Sequence, residues 1–183
     1  MKLLSYRIDK IEVDQVGILH NQLVYNLNAC FGDKSLVEIV QIKDYQDKIA
    51  AFISNKNCKK DDINNIILLP PVSNPNSFRD AYSFRQHVKT ARENRGAKML
   101  PEFDQFPVFY FSNHNNIYGH KQEVEVMPDH LEQLDYELEL AVLIGKGGKN
   151  IRSKDADQHI AGFFILNDLS ARKLQMEEMR LNL

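Results

Sequence analysis

The segment LDYELELAVLIG, residues 134–145, constrains the fold most, because charged and apolar side chains alternate along it. Successive side chains of a β-strand point to opposite faces. As a strand, the segment therefore has an apolar face and an acidic face, the latter formed by Asp135, Glu137 and Glu139. Same-face neighbours have Cα atoms about 6.6–6.8 Å apart, so two glutamates can converge on one ion. The alternative is a strand with one face in water, where acidic alternation is common.

Composition indicates an ordinary soluble globular protein. The chain has 183 residues, of which 43% are hydrophobic and 26% are charged, with a net charge of −2. This balance gives no electrostatic reason to expect nucleic acid or an anionic membrane as partner, and no apolar run approaches the roughly 20 residues that cross a bilayer. The N-terminus becomes charged too early for a signal-peptide core. Cys30 and Cys58 are expected as free thiols, which favours a cytoplasmic protein.

Residues 1–65 are predicted to form a small N-terminal α/β module. Three β-type runs come first, KLLSYRI, QVGIL and QLVYNL, and a tight turn at His20–Asn21 joins the last two. Helical spacing then extends from Leu36 to Phe52, and Ser35 with Glu38 fits a capping box at its start. The polar stretch SNKNCKKDDINN places a domain boundary near residues 54–65.

Residues 66–183 are predicted to form a β-rich second module with short helices, which makes the fold class α+β. IILLPPV is predicted as its first strand, and SFRDAYSFRQHVKTARENRG as a helix that ends near Gly96. Further strands are predicted at FPVFYF, KQEVEVM, the acidic segment and AGFFILND, with KGGK as a hairpin turn. SKDADQHI is expected to hold one helical turn, and SARKLQMEEMRLNL to start a last helix. Because nothing caps or covers that helix, we expect the front part of a longer protein.

Two further acids stand at positions where side chains reach functional sites. Asp168 follows an apolar run at the end of a predicted strand, although it also fits the N-cap of the next helix. Asp80 fits the N-cap of the helix that contains His87. If the helix begins there, the two residues lie seven positions apart, two turns along one face. A metal-binding acid and a base would then line up.

Four stretches together resemble the fumarylacetoacetate hydrolase family in order and spacing: RDAYSFRQHV, FPVFYF, LDYELELAVLIG and LNDLSARKLQ. The resemblance extends from about residue 66 to the end, and the first stretch is closest to the fumarylacetoacetase type. It implies a mixed β-roll catalytic domain, incomplete in this chain, after a small N-terminal domain. Relatives are commonly homodimers, so a homodimer is expected.

The resemblance also implies roles for individual residues. Four carboxylates of the family hold a divalent metal, and they match Asp80, Glu137, Glu139 and Asp168. The general base matches His87, and the substrate contacts match Tyr82, Tyr110, Arg172 and Gln175. Lys173 reverses the charge that many relatives have after Arg172. The family's downstream lysine, and the glutamate that orients the histidine, have no counterpart in these 183 residues.

These residues suit a hydrolase that cleaves a carbon–carbon bond in a β-diketone of the fumarylacetoacetate or acylpyruvate type. A metal held only by carboxylates is expected to be Mg²⁺, Ca²⁺ or Mn²⁺. It polarises the carbonyl and stabilises the enolate, while His87 takes a proton from the attacking water, a contribution of about 10²–10⁴ in rate. Arg172 and Gln175 are expected to stabilise the departing enolate. The expected partner is a small diketo or keto acid.

Several alternatives remain open at the level of sequence. Decarboxylation, isomerisation or dehydration of a related keto acid needs the same chelated enolate. The chain also fits a metal-binding fragment without activity. GKGGK fits phosphate binding less well, because it lacks the spacing and the Ser/Thr of a P-loop. Tyr110 fits a core aromatic equally well, and Arg172 fits a simple ion pair with Asp168.

Overall fold

The computed structural model describes residues 1–9, 11–55 and 58–181, and of Asp129 the backbone alone. Within these ranges the chain divides into two compact units: residues 1–71 with 118–183, and residues 72–117. Strands and helices occur in both units, as an α+β fold requires. Among the described residues, every helix is too short or too polar to cross a bilayer.

A five-stranded antiparallel sheet begins the larger unit, with strand order β4-β3-β2-β1-β5. Its strands are β1 (Leu3–Ile8), β2 (Gln15–His20), β3 (Leu23–Asn26), β4 (Lys60–Asp62) and β5 (Ile66–Leu68). The predicted hairpin between β2 and β3 is present. Its turn lies one residue later than predicted, at Asn21 and Gln22, whose φ angles of 48° and 65° supply the left-handed backbone of a tight turn.

Two of these short strands differ from the sequence prediction. β4 lies in the stretch predicted as a polar linker, where it pairs with β3. β5 was predicted to open the second module, whereas it pairs with β1 and forms an edge of the N-terminal sheet. Strands of three residues carry too little pattern for their partners to be read from sequence. The division into domains 1–65 and 66–183 stays a prediction.

Three helices pack on this sheet: α1 (Asn28–Phe31), α2 (Leu36–Val40) and α3 (Tyr45–Ile53). The capping box is confirmed, since Ser35 Oγ accepts from the Glu38 backbone N–H at 3.3 Å and the Ser35 N–H donates to Glu38 Oε2 at 2.9 Å. The single helix predicted over this region is wrong. Asp44, with φ 58°, breaks it into α2 and α3.

The hydrophobic core of the larger unit lies between this sheet and its helices. Leu27, Ile39 and Ile49 are completely buried there, and Leu143 from a distant strand packs against the same cluster. Tyr6 is also buried, and its hydroxyl donates to Asp61 Oδ2 at 3.0 Å. Burial, together with this carboxylate, raises the pKa of Tyr6. The sheet is therefore tied across its width by one polar contact.

The smaller unit contains β6 (Phe78–Ala81), α4 (Arg85–Asn94) and β7 (Phe109–Ser112), with a 3₁₀ turn at Pro101–Asp104. β6 and β7 pair antiparallel, so the prediction of one helix through residues 77–96 is wrong in its first half. Pairing with a partner strand overrides a helical pattern over so short a segment. The predicted end is confirmed, because Gly96 follows the helix with φ 70°.

The remaining part of the larger unit is a two-stranded antiparallel ribbon of β8 (Leu134–Ile144) and β9 (Ile160–Ala171), followed by α5 (Arg172–Arg180). Both strands and the last helix were predicted. Residues 145–159 join the strands, and they include the predicted helical turn as a 3₁₀ helix, Ser153–His159. KGGK is therefore not the tight hairpin turn predicted. KQEVEVM (121–127) forms no strand in the described structure, because alternation without a partner strand does not suffice.

The two faces of the ribbon differ in polarity, as the alternation predicts. Their burial is the reverse of what that polarity favours, because the apolar side is the more exposed one. The acidic side is half-buried at Glu137 and Glu139, whereas Leu138 is 78% exposed and Ile165 is 79% exposed. We call the second side the apolar ribbon face. It consists of Tyr136, Leu138, Leu140, Val142, Phe163, Ile165 and Leu169.

Candidate metal centre

The acidic face of the ribbon brings three predicted ligands onto one surface. Glu137 and Glu139 are separated by one residue on β8, and Asp168 on β9 lies directly opposite Glu137. All three side chains are half-buried. Asp168 does not cap α5, since that helix begins at Arg172 after Ala171. Asp168 does not lie at a strand end either, because β9 continues for three more residues to Ala171 and so extends beyond the predicted end.

Glu139 and Asp168 come close enough to share an ion. Each offers a carboxylate oxygen, and these two atoms lie within 4.8 Å of one another. Two carboxylates at this separation repel each other, and a divalent cation between them removes the repulsion. Because every donor is an oxygen atom, the pair fits Mg²⁺, Mn²⁺ or Ca²⁺ better than a softer metal.

The carboxylate of Glu137 contacts two side chains, those of Arg172 and Ser170. Its Oε1 lies 2.5 Å from Arg172 Nη1 and accepts a hydrogen bond from Ser170 Oγ at 3.3 Å. The carboxylate therefore already has a cationic partner.

Arg172 is held by more than one group. Its Nε donates to Asp135 Oδ2 at 3.0 Å, and its Nη1 donates to Gln175 Oε1 at 3.0 Å. Burial opposes the charge of Arg172, but the hydrogen bond that it donates to Asp135 and the charges of Glu137 and Asp135 outweigh this effect and raise the pKa of Arg172. In turn, the hydrogen bond from Arg172 lowers the pKa of Asp135, and the Tyr136 backbone N–H lowers it further.

Arg172 has two ion-pair partners that the sequence analysis did not name. It pairs with Asp135 and Glu137, because α5 starts next to the opening residues of β8. Asp135 and Ser170 were therefore missed as supporting residues. Their signal was present in the strand pattern: Asp135 shares the face of Glu137, and Ser170 lies directly opposite Asp135.

In the smaller unit, Asp80 lies on β6 opposite Tyr110 of β7. Asp80 is half-buried and stands before α4 begins, so the prediction that it caps the helix of His87 is wrong, as is their alignment on one helix face. Tyr110 is 67% exposed, which rules out the core interpretation in this chain. It stays a candidate substrate contact.

His87 and Tyr82 come together within the smaller unit. The ring of Tyr82 meets the ring of His87 edge-on, with centroids 6.2 Å apart, and on another side it meets Phe103 at 5.9 Å. His87 lies in the first turn of α4, and Arg85 at the helix start makes two hydrogen bonds to Asp104, of 2.7 and 3.1 Å. The helix start that presents His87 is thus fixed from two sides.

Comparison with family models gives a match that covers more than half of the chain. The model described as "Fumarylacetoacetate (FAA) hydrolase C-terminal" matches residues 76–183. All nine predicted site residues lie within this range, from Asp80 to Gln175. The match therefore includes both the acidic ribbon and the helix of His87.

Two curated relatives illustrate the range of similarity. The chain is 26% identical to a fumarylacetoacetate hydrolase domain-containing protein 2 homolog of Dictyostelium discoideum, over 88% of this chain and 51% of that protein. It is 44% identical to the human mitochondrial oxaloacetate tautomerase FAHD2A, over 38% of this chain and 22% of that protein. The chain thus spans about half the length of the first of these relatives.

Solved structures support the fold. Maleylpyruvate hydrolase from Sphingobium sp. SYK-6, solved with manganese(II) and pyruvate, superimposes with a TM-score of 0.66 at 17% identity, over 92% of this chain and 58% of that one. The similarity covers little more than half of the solved chain.

Proposed function

The chain belongs to the fumarylacetoacetate hydrolase family, and we propose that it binds a divalent cation and acts on a small keto or diketo acid. The observation on which this proposal depends is the approach of the Glu139 and Asp168 carboxylates to within 4.8 Å. The same two residues match the family's ligand positions. Glu137 and Asp80 are proposed to complete the ligand set. For Asp80, the proposal rests only on its position in the motif RDAYSFRQHV.

The proposed reaction is hydrolysis of a carbon–carbon bond in a β-diketone of the fumarylacetoacetate or acylpyruvate type. A bound Mg²⁺, Mn²⁺ or Ca²⁺ supplies Lewis acidity toward the substrate carbonyl and its enolate. His87 is proposed to take a proton from water, and the edge-on ring of Tyr82 at 6.2 Å limits the orientations of its imidazole. Catalysis by a positioned base of this kind contributes about 10²–10⁴ in rate.

Substrate recognition is proposed for four side chains outside the ligand set. Arg172 and Gln175, hydrogen-bonded to each other at 3.0 Å, are proposed to face the substrate carboxylate or the departing enolate. Tyr82 and Tyr110 are proposed to bind a keto or carboxylate oxygen. Both have exposed side chains, at 42% and 67%, so a small acid can reach them.

A second reaction deserves its own test because of one comparison. The human relative at 44% identity bears the name oxaloacetate tautomerase. Enol–keto conversion needs no attack by water, and a cation held by these carboxylates would stabilise the charge that it develops. Decarboxylation or dehydration of a related acid develops such charge as well. A metal-binding chain without turnover is the remaining alternative.

The compartment and the oligomeric state are also proposals. We propose a cytoplasmic protein because of the composition of the chain, and a homodimer because members of the family are commonly homodimers. Analytical ultracentrifugation of the purified chain gives the assembly, and a sedimentation coefficient of a monomer at micromolar concentration contradicts the dimer.

The metal site is tested by Mn²⁺ binding to the full chain, measured by electron paramagnetic resonance of the free ion. Glu139→Gln and Asp168→Asn are each expected to weaken binding about 10²-fold or more, since loss of a supporting residue alone costs about 10–100-fold. Glu177→Gln, which removes an acid from the exposed part of α5, is the matched control. Wild-type affinity in both ligand variants would refute the site.

The reaction is tested with acylpyruvates, fumarylacetoacetate and oxaloacetate at saturating Mn²⁺. Hydrolysis of the first two supports the β-diketone assignment, and tautomerisation of the third without hydrolysis supports the second reaction. His87→Ala is expected to keep Mn²⁺ affinity and to lower hydrolysis about 10²–10⁴-fold. Mn²⁺ binding with no turnover of any of these acids supports the inactive alternative.

A further inference from the structure

Glu137 has a cationic partner beside the acidic face of the ribbon. Glu139 and Asp168 have carboxylate oxygens within 4.8 Å of one another, and the group so defined does not include Glu137. The Glu137 carboxylate instead lies 2.5 Å from the Arg172 guanidinium. One residue of the proposed ligand set is thus already neutralised by the protein's own cation.

The contact between Glu137 and Arg172 is a strong one. The two side chains are 26% and 33% exposed, so water screens their attraction less than at an open surface. A guanidinium hydrogen-bonded to a carboxylate gains more than a neutral pair does. A divalent cation that takes Glu137 as a ligand must compete with this contact.

Arg172 can release Glu137 without being left unpaired. Its Nε is bound to Asp135 at 3.0 Å, and its Nη1 is also bound to Gln175 at 3.0 Å. The Asp135 contact uses Nε, whereas the Gln175 contact shares Nη1 with Glu137, and Nη1 carries two of the five donors of the guanidinium fork. When Glu137 is released, Arg172 therefore stays bound to Asp135 and Gln175 at the start of α5, and one N–H donor of its Nη1 becomes available.

We propose that Arg172 is an exchangeable counter-ion of Glu137, and that its guanidinium leaves this carboxylate when a divalent cation binds to the ribbon. The proposal rests on the metal site of the proposed function. It makes Arg172 a positioning residue for the ligand set, a role distinct from the contact with a substrate acid proposed above. The freed Nη1 donor then becomes available to a carboxylate of the substrate only after the cation is bound.

Mn²⁺ affinity of the full chain tests this exchange without reference to turnover. Arg172→Gln removes the competitor and is expected to tighten Mn²⁺ binding roughly three- to tenfold. Lys173→Gln is the matched control, because it removes one positive charge from the next residue, which pairs with Glu132 at 2.9 Å. An equal gain in both variants indicates a general charge effect and overturns the exchange.

Two further variants separate contact from charge. Arg172→Lys keeps the charge but cannot bind Asp135 and Glu137 with one planar fork, so it is expected to tighten Mn²⁺ binding partway. Glu137→Gln removes the contested carboxylate, so adding Arg172→Gln to it is expected to change affinity little. A full Arg172→Gln gain in the Glu137→Gln background contradicts the proposal.

A direct readout is the side-chain NMR spectrum of Arg172 during a Mg²⁺ titration, with its signals assigned by their loss in Arg172→Lys. The Nη signals are expected to shift on Mg²⁺ binding while the Nε signal, held by Asp135, moves less. Mg²⁺ binding with no change at Nη refutes the exchange.

The Glu139→Gln variant separates failure of the metal site from failure of the exchange. If it leaves Mn²⁺ affinity unchanged, the metal site of the proposed function fails, and the exchange fails with it. If it abolishes Mn²⁺ binding while the Arg172 variants have no effect, the exchange alone is refuted.

Discussion

Lys173 stands immediately after Arg172, where many members of the family have an acid. Its Nζ lies 2.9 Å from Glu132 Oε2 in the 3₁₀ turn Pro128–Gln133. The charge reversal noted in the sequence therefore has a local partner: the cation ties α5 to the turn that precedes β8. Arg172 keeps its own contacts to Asp135 and Glu137.

Charge reversal at this pair is predicted to lower stability slightly. Lys173→Glu places two acids together, and because both side chains are largely exposed, the free energy of unfolding is expected to fall by less than about 1 kcal/mol. The double variant Lys173→Glu/Glu132→Lys restores opposite charges and is expected to recover the loss. Urea denaturation measures both, and a double variant no more stable than the single one shows that the pair contributes nothing.

Residue identities were more predictable than residue partners. Strand alternation was enough to place Glu137 and Glu139 on one side of β8, as the structure confirms. It could not show that Glu137 pairs with Arg172, because that contact joins residues 35 positions apart in sequence whose distance depends on where α5 starts. Contacts of this kind are set by tertiary packing and leave no local pattern.

At the scale of elements, long strands were predictable and interruptions were not. β8 and β9 have the apolar runs and alternation of strands over 11 and 12 residues. The break between α2 and α3 depends on one residue, Asp44, in the left-handed region at φ 58°. Asp tolerates this backbone better than most residues, so its presence gives no clear signal against a continuous helix.

The effect of a substitution at Asp44 on stability is predicted to depend on how well the new residue tolerates a positive φ angle. Asp44→Val is expected to lower the free energy of unfolding by about 1–2 kcal/mol, because a β-branched residue is strained in the left-handed region. Asp44→Gly is expected to be neutral within about 0.5 kcal/mol. Thermal unfolding followed by circular dichroism measures both.

Lys48→Val provides the comparison, because Lys48 lies inside α3 on its exposed side. Only the lower helix propensity of valine acts there, a cost of at most about 0.7 kcal/mol. Equal losses at positions 44 and 48 would show that the left-handed backbone at Asp44 contributes no specific strain.

At the scale of the whole molecule, family and fold class followed from sequence, whereas exposure did not. The apolar runs of β8 and β9 predict burial, yet the apolar ribbon face is open in this chain, with Ile165 79% exposed. Sequence pattern indicates which side chains favour burial but not whether a covering element is present. The chain spans 51% of the Dictyostelium relative and 58% of the Sphingobium enzyme. The exposure of the apolar ribbon face is therefore described for this chain alone.

The open face predicts measurable dye binding. The folded chain is expected to enhance the fluorescence of 8-anilinonaphthalene-1-sulfonate, and Leu138→Thr/Ile165→Thr is expected to reduce the signal with little loss of stability, because both side chains are already exposed. Threonine keeps the β propensity of the strands. Unchanged dye fluorescence in this variant would place the apolar surface elsewhere.

Leu143→Thr is the contrasting substitution on the same ribbon. Leu143 lies on the opposite side of β8 and packs against the N-terminal core. It is expected to lower the unfolding midpoint clearly, since a hydroxyl replaces packed apolar atoms. A larger loss for the exposed pair than for Leu143 would contradict the assignment of the two faces.

The ribbon's register also limits how such a chain can change over evolutionary time. Insertion of one residue within β8 would exchange its two sides beyond that point and turn the carboxylates away from their partners on β9, since side chains alternate with a period of two. The same insertion in residues 145–159, which join the strands, leaves the frame of both intact. Length variation among descendants of this sequence should therefore accumulate in that connection and be nearly absent from the eleven paired positions of β8.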